Sequence, residues 1–244
     1  MKKFLTLDIL PQPDDTTCGP TCLHALYRYF GDEIPLQDVI AEVQSLKGGG
    51  TLGVMLANHA LRRGYRASIY TYNLMIFDPT WFLPEADIQR KLAKRLEVIH
   101  DAKQKKAIRA YQSFLINGGK IHFVDLTRNL LRRFLKSGRP ILTGLNSTFL
   151  YRAPRVDEAS MKNDDIGGEV VGHFVVLSGY DQMNKTVHVS DPYARNPFAN
   201  QSYELPIDRV IGAILLGVMT YDANFLIIDP GNNEPRHNRK AVSV

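Results

Sequence analysis

Cysteine is scarce in this chain: two residues in 244, at Cys18 and Cys22. Two thiols four apart exclude a disulfide framework for a chain of this size, and a bridge at that spacing does not suit a regular helix. Thiols without disulfides point to a reducing compartment, and the chain reads as cytoplasmic. Long apolar runs are also missing. No stretch approaches the ~18–20 apolar residues of a membrane span. The opening Met1-Lys2-Lys3-Phe4-Leu5 imitates a secretory signal, but Asp8 cuts the apolar run and Pro11 ends it, short of the length such a signal needs. The net charge is +5, yet no basic run is dense enough to argue for nucleic acid. The largest cluster, Lys103, Lys105, Lys106 and Arg109, fits the solvated face of a helix. Gly48-Gly49-Gly50 is followed by no Lys-Ser or Lys-Thr, which excludes a phosphate loop. Cys18, Cys22 and His24 match no usual zinc spacing, so no metal and no other cofactor is expected. There is no internal repeat, and nothing sets an oligomeric state.

What is present is 44% hydrophobic residues, enough for one large domain with its own core. The first half reads as helices. A strand is expected over residues 3–10, then a helix from Cys18 to about Phe30, stopped by Gly31. A second helix is expected from Pro35 to Leu46 and a third from Leu52 to Arg63, capped by Thr51. Arg66 to Tyr72 alternates as a strand. Residues 73–84 form an aromatic, proline-punctuated loop, read either as packing over the core or as part of a groove wall. Residues 85–117 carry a helical pattern with a polar middle, which fits two helices or one long one. Thr127 caps another helix, up to Gly138.

The texture then changes. Arg139 to Leu145 reads as a buried strand and residues 147–170 as a long irregular loop. Val170 to Tyr180 is a strand, residues 181–185 a turn, and Thr186 to Ser190 the returning strand. An edge strand at 201–205, a helix from Pro206 to Leu216 and a strand from Asn224 to Ile228 complete the pattern. Helices followed by a mostly antiparallel sheet make an α+β arrangement. The expected organisation is one domain over 1–230, with a helical lobe at 12–138, an insertion within it at 73–120, a sheet lobe at 139–230 and a flexible tail at 231–244.

Chemistry concentrates at Gln12-Pro13-Asp14-Asp15-Thr16-Thr17-Cys18-Gly19-Pro20-Thr21-Cys22-Leu23. This is a loop that delivers a cysteine to the first turn of a helix, with Asp15, Thr16 or Thr17 as cap and Pro20 suited to the first turn. Unpaired backbone N–H groups and the positive end of the helix dipole favour a thiolate in such a place. Cys22 reads as a small buried apolar residue. A cysteine nucleophile needs a base, and the base needs a group that orients it. Of seven histidines, His173 interrupts the otherwise apolar Val170-Val171-Gly172-His173-Phe174-Val175-Val176-Leu177. Gly172 leaves room beside it. With the turn near 182–184, position 173 faces about 192–193, which brings Asp191 next to the imidazole. Gln12, separated from Cys18 by five residues, has an amide that could join the Cys18 backbone N–H in binding an oxyanion.

Taken in order, Gln12, Cys18-Gly19-Pro20-Thr21-Cys22-Leu23, Gly172-His173-Phe174-Val175-Val176-Leu177 and Ser190-Asp191-Pro192-Tyr193 resemble family thirty-nine of the cysteine peptidases. These are papain-like enzymes, best known as bacteriocin-processing domains that cut after a double-glycine leader. The resemblance implies a papain-like fold and a peptide or protein substrate. It also implies Cys18 as nucleophile, His173 as general base and acid, Asp191 as orienter and Gln12 as oxyanion donor. The well-known members are fused to a membrane-spanning transporter and an ATPase, and neither is expected here. Residues 73–120 and 147–170 look like insertions, so double-glycine specificity is not carried over. The expected activity is hydrolysis of a peptide or amide bond through an acyl-enzyme. Acyl transfer by the same residues and a catalytically silent peptide-binding module are the alternatives.

Overall fold

In the computed structural model, which describes residues 2–157 and 159–231, the cysteine-bearing helix α1 runs Cys18–Tyr29 and stops before Gly31. Its inner face, Cys22, Leu23 and Leu26, is fully buried, as the spacing of those positions requires. The strand expected over residues 3–10 is shorter, β1 at Lys2–Phe4. Helix α2, Leu36–Glu42, is also shorter than expected, because Val43 turns extended and the chain closes a turn through Leu46 and Gly50. Helix α3 spans Gly53–Arg62. Thr51 does not cap it, because its hydroxyl donates to the Gln44 carbonyl instead.

Strand β2 follows at Arg66–Thr71. The aromatic loop after it is packing: Phe77 is buried edge-on to Tyr111, with centroids 4.7 Å apart, and Phe82 stacks on Phe123. The long helical pattern is two helices, α4 at Ile88–Val98 and α5 at Ala102–Ile116. Each is capped by an aspartate side chain, Asp87 and Asp101. Both caps satisfy an otherwise orphaned N–H. The polar middle is therefore a cap, not an exposed stretch of one helix. A strand with no sequence signal, β3 at Lys120–His122, comes next. Helix α6, Arg128–Lys136, is capped by Thr127 as expected.

The second half supplies β4 (Ile141–Asn146), α7 (Ser147–Tyr151), β5 (Gly172–Asp181), β6 (Thr186–Ser190), β7 (Ser202–Pro206), α8 (Ile207–Leu216) and β8 (Asn224–Asp229). Helix α7 begins the segment expected to be irregular, with Asn146 as its cap. The strands form one sheet in the order β3-β2-β8-β4-β5-β6-β7, with β1 also pairing with β5. Every pairing is antiparallel except β2 with β3. The last strand, β8, sits in the middle, between β2 and β4. The sheet therefore takes two strands from the lobe expected at 12–138, β2 as expected and β3 unexpected.

Alternation along the strands separates two cores. Phe174 and Val176 of β5, with Leu226 of β8, pack under α1, α3 and α5 on one face. Val175 and Leu177 of β5, with Phe225 and Ile227 of β8, pack under α6 and α8 on the other. Among the described residues no helix is long and apolar enough to cross a membrane. The tail expected at 231–244 lies, apart from Gly231, outside the described residues.

Candidate active site

Cys18 is the first residue of α1, half-buried, with a free thiol. The loop before it holds itself. Asp14 Oδ1 accepts from the backbone N–H and the hydroxyl of Thr16, both at 2.8 Å. Thr17 occupies the cap position but turns its hydroxyl back to the Asp14 carbonyl, so no side chain caps α1. The expected cap is thus absent, and this suits the chemistry. The first ladder bond of the helix runs from the Thr21 N–H to the Thr17 carbonyl. The N–H groups of Cys18 and Gly19 precede it, and Pro20 has none to offer. Gly19 lies flat on β5: a Cβ there would come within 2.6 Å of Thr51 and 3.2 Å of Phe174. This close approach brings Cys18 to the first residues of β5.

His173 is the second residue of β5, and its Nε2 lies 2.8 Å from Asp191 Oδ1, just beyond β6. The register between the strands explains how they meet. From Asp181↔Thr186 to Gly179↔His188 the hairpin keeps one register, and at Ser178 it slips by one residue, giving Leu177↔Val189 and Val176↔Ser190. Continued from the turn without that bulge, the register would set Asp191 opposite Val176, on the α1 face. With it, Asp191 aligns with Val175, on the face that His173 shares. Gly172, expected to leave room for His173, instead admits Thr220, to which a Cβ would come within 2.8 Å.

Asp191 is fully buried and yet saturated with donors. Oδ1 accepts from His173 Nε2 and from the Tyr193 N–H at 2.9 Å. Oδ2 accepts from the Tyr151 hydroxyl at 2.7 Å and the Tyr203 hydroxyl at 2.6 Å. Burial pushes this carboxyl upward, but the charge of His173 and these donors outweigh it and hold the pKa below the usual value. Burial likewise opposes the imidazolium of His173. The Asp191 charge and hydrogen bond outweigh that, with a further contribution from a hydrogen bond to Cys18, and push its pKa up to about 10. With Nε2 given to the carboxylate, Nδ1 is the nitrogen left for the thiol. The structure thus brings Cys18, His173 and Asp191 together.

Gln12 borders the same cluster. Its backbone N–H donates to the Pro192 carbonyl at 2.9 Å, next to Asp191, and its amide nitrogen donates to the Asp14 carbonyl at 2.7 Å. The amide oxygen is buried without a partner. One amide hydrogen thus holds the loop, and only the second is left for a ligand. Cys22, one turn below Cys18, is buried and donates its thiol to the Phe174 carbonyl at 3.3 Å, with burial pushing its pKa up. Three of the other histidines have structural partners: His59 with Tyr27 and Glu42, His188 with Ser178 and Ser202, and His122 stacked on Tyr70. Among the described residues no group of three or more His, Cys, Asp or Glu is arranged to hold a metal ion. Tyr151 and Tyr203 carried no signal in the sequence. They stand 40 and 12 residues from Asp191, in no motif.

No curated protein matches the chain. Among solved structures it is similar to a protein from Bacillus anthracis described as a C39-like peptidase, at 15% identity over 95% of this chain and 99% of that one, with a TM-score of 0.50. It also aligns with a double glycine motif protease from an AMS/PCAT transporter, solved with its leader peptide, at 14% identity over 93% and 94% of the two chains and a TM-score of 0.46. The first likeness shows a shared fold. The model of the Peptidase_C39 like family matches residues 4–208, most of the chain and all of the cluster just described. The chain is a cysteine peptidase by family and belongs to the Peptidase_C39 like family.

Proposed function

We propose that Cys18, His173 and Asp191 form the catalytic triad of this peptidase and that it cleaves a peptide or amide bond of a peptide or protein through an acyl-enzyme. The observation that carries the reading is the buried 2.8 Å contact between His173 and Asp191, with the Cys18 thiol in hydrogen-bonding reach of the same ring. Asp191 orients His173 and favours its imidazolium, so that the ring takes the Cys18 proton and leaves a thiolate–imidazolium pair for the attack. The Cys18 sulfur attacks the carbonyl carbon, and the oxyanion forms at the open start of α1. The Cys18 N–H and the second amide hydrogen of Gln12 stabilise it there. His173 gives its proton to the leaving amine as the carbon–nitrogen bond breaks. It then takes a proton from the water that releases the acid. Residues 1–230 act as a single catalytic domain, since one sheet runs through both halves.

The experiment is labelling with a thiol-directed acyl electrophile, with mapping of the modified residue. Cys18 is expected to carry the label. Cys18→Ala is expected to lose all turnover while circular dichroism reports the same fold. Modification of Cys22 with Cys18 untouched at neutral pH would sink the assignment.

A further inference from the structure

A carboxylate offers about four lone-pair positions, and Asp191 uses all four. Two of them, both on Oδ2, go to phenols from separate elements, Tyr151 at the end of α7 and Tyr203 in β7. Phe198 braces both rings, at 4.3 Å from Tyr203 and 6.0 Å from Tyr151 between centroids. We infer that Tyr151 and Tyr203 are positioning residues: they clamp Oδ2 of Asp191, so that Oδ1 stays turned to His173 and the carboxylate stays ionised although it is fully buried. This rests on the proposal that Cys18 and His173 perform the chemistry. It also gives the first part of the inserted segment at 147–170 a task, since α7 delivers Tyr151.

Two protonation states of Asp191 compete. A fully buried carboxyl gains by taking up a proton, and the His173 charge together with the hydrogen bonds from His173, Tyr203 and Tyr151 prevents it. A protonated Asp191 would withdraw the charge that holds the imidazolium, and a rotated one would turn Oδ1 away from Nε2. Either change frees the His173 ring from the orientation that points Nδ1 at Cys18. The titratable groups facing Asp191 are His173 from β5, Tyr151 from α7, Tyr203 from β7 and Cys22 from α1. The thiol facing His173 is Cys18. Burial and the Asp191 charge raise the pKa of both phenols, so they stay protonated as donors throughout the range of interest.

The test needs no peptide substrate. The rate of Cys18 alkylation by iodoacetamide is followed from pH 4 to pH 10 in the wild type, Tyr151→Phe, Tyr203→Phe and the double variant. The wild type is expected to show a reactive plateau. Each single variant should move the acid limb of that plateau to higher pH, and the double variant should move it by about one unit or more. At a pH on the acid limb the rate should fall by up to about tenfold for each unit that the limb moves. If the double variant does not fold, the two single variants decide. A folded set with the wild-type acid limb overturns the clamp, even where the melting temperature has dropped, because that pattern belongs to a merely structural role. A wild type with no plateau at all marks instead the failure of the triad assignment on which the clamp rests.

Discussion

At the scale of single residues, the site is an ion pair held against its own burial. His173 has a folded-state pKa raised to about 10, against about 6.5 for an unperturbed imidazole. A raised histidine adds stability that is fully present below its unfolded pKa and is lost as pH rises through the folded one. The window for His173 is thus from about 6.5 to about 10. Asp191 has the opposite sign: its pKa is lowered, so its contribution is present above the ordinary carboxylate range and is lost only in acid. From pH 7 to pH 10 the melting temperature of the wild type should therefore fall further than that of His173→Gln, narrowing the gap between them. A constant gap over that window in thermal melts would show that the proton is not where we place it. Cys18, His173 and Asp191 were legible because each broke a local pattern. One was a thiol in the first turn of a helix, one a polar residue in an apolar strand, and one an acid just past the returning strand. Tyr151 and Tyr203 broke none. A tyrosine in a short helix or an edge strand is ordinary, and only the fold brings their hydroxyls to one oxygen.

At the scale of elements, the β5–β6 hairpin decides which face of the sheet receives Asp191. The sequence-based register brought His173 and Asp191 together from the centre of the turn alone. The strands leave the turn in a register that would put Asp191 on the wrong face, and the slip at Ser178 corrects it. Bulges carry little sequence signal when the residue is serine, so this device was invisible. So was the cap of α1, where the empty position is the informative one. The Ser178 hydroxyl bonds to His188 Nδ1 and Ser190 Oγ, both at 2.9 Å. The residue count, not the hydroxyl, sets the register. Ser178→Ala should thus cost about 1–2 kcal/mol in denaturant unfolding, the loss of buried hydrogen bonds. It should leave the alkylation rate of Cys18 within a few-fold of wild type. A variant as unreactive as one lacking Asp191 would show that the hydroxyl network maintains the bulge.

At the scale of the whole molecule, the two halves are joined through the middle of the sheet and not across a seam. β8, from the end of the described chain, sits between β2 and β4, and the residue before its approach, Asp222, reaches back to α3. Its Oδ1 accepts the Gly53 N–H at 2.8 Å, the cap that Thr51 does not supply. Helix order was readable from periodicity, but this joint was not, because its partners lie 169 residues apart. A carboxylate at a helix N-terminus is usually favoured. Here full burial dominates, the Gly53 and Asn224 hydrogen bonds only partly offset it, and the pKa rises to about 7. Between the unfolded value of about 3.9 and this one the folded state binds more protons. Stability therefore falls as pH rises across that interval and stays lower above it. Asp222→Asn keeps an oxygen for Gly53 and brings an amide donor beside Asn224, whose Oδ1 is buried without a partner. The variant should be more stable than wild type at pH 8, by up to about 4 kcal/mol if the whole shift of roughly three units is recovered. The advantage should shrink steadily toward pH 4 in urea unfolding. An Asn variant that is less stable at pH 8 would mean that the ionised carboxylate is what binds α3 to the sheet, and that the charge at the helix end outweighs its burial.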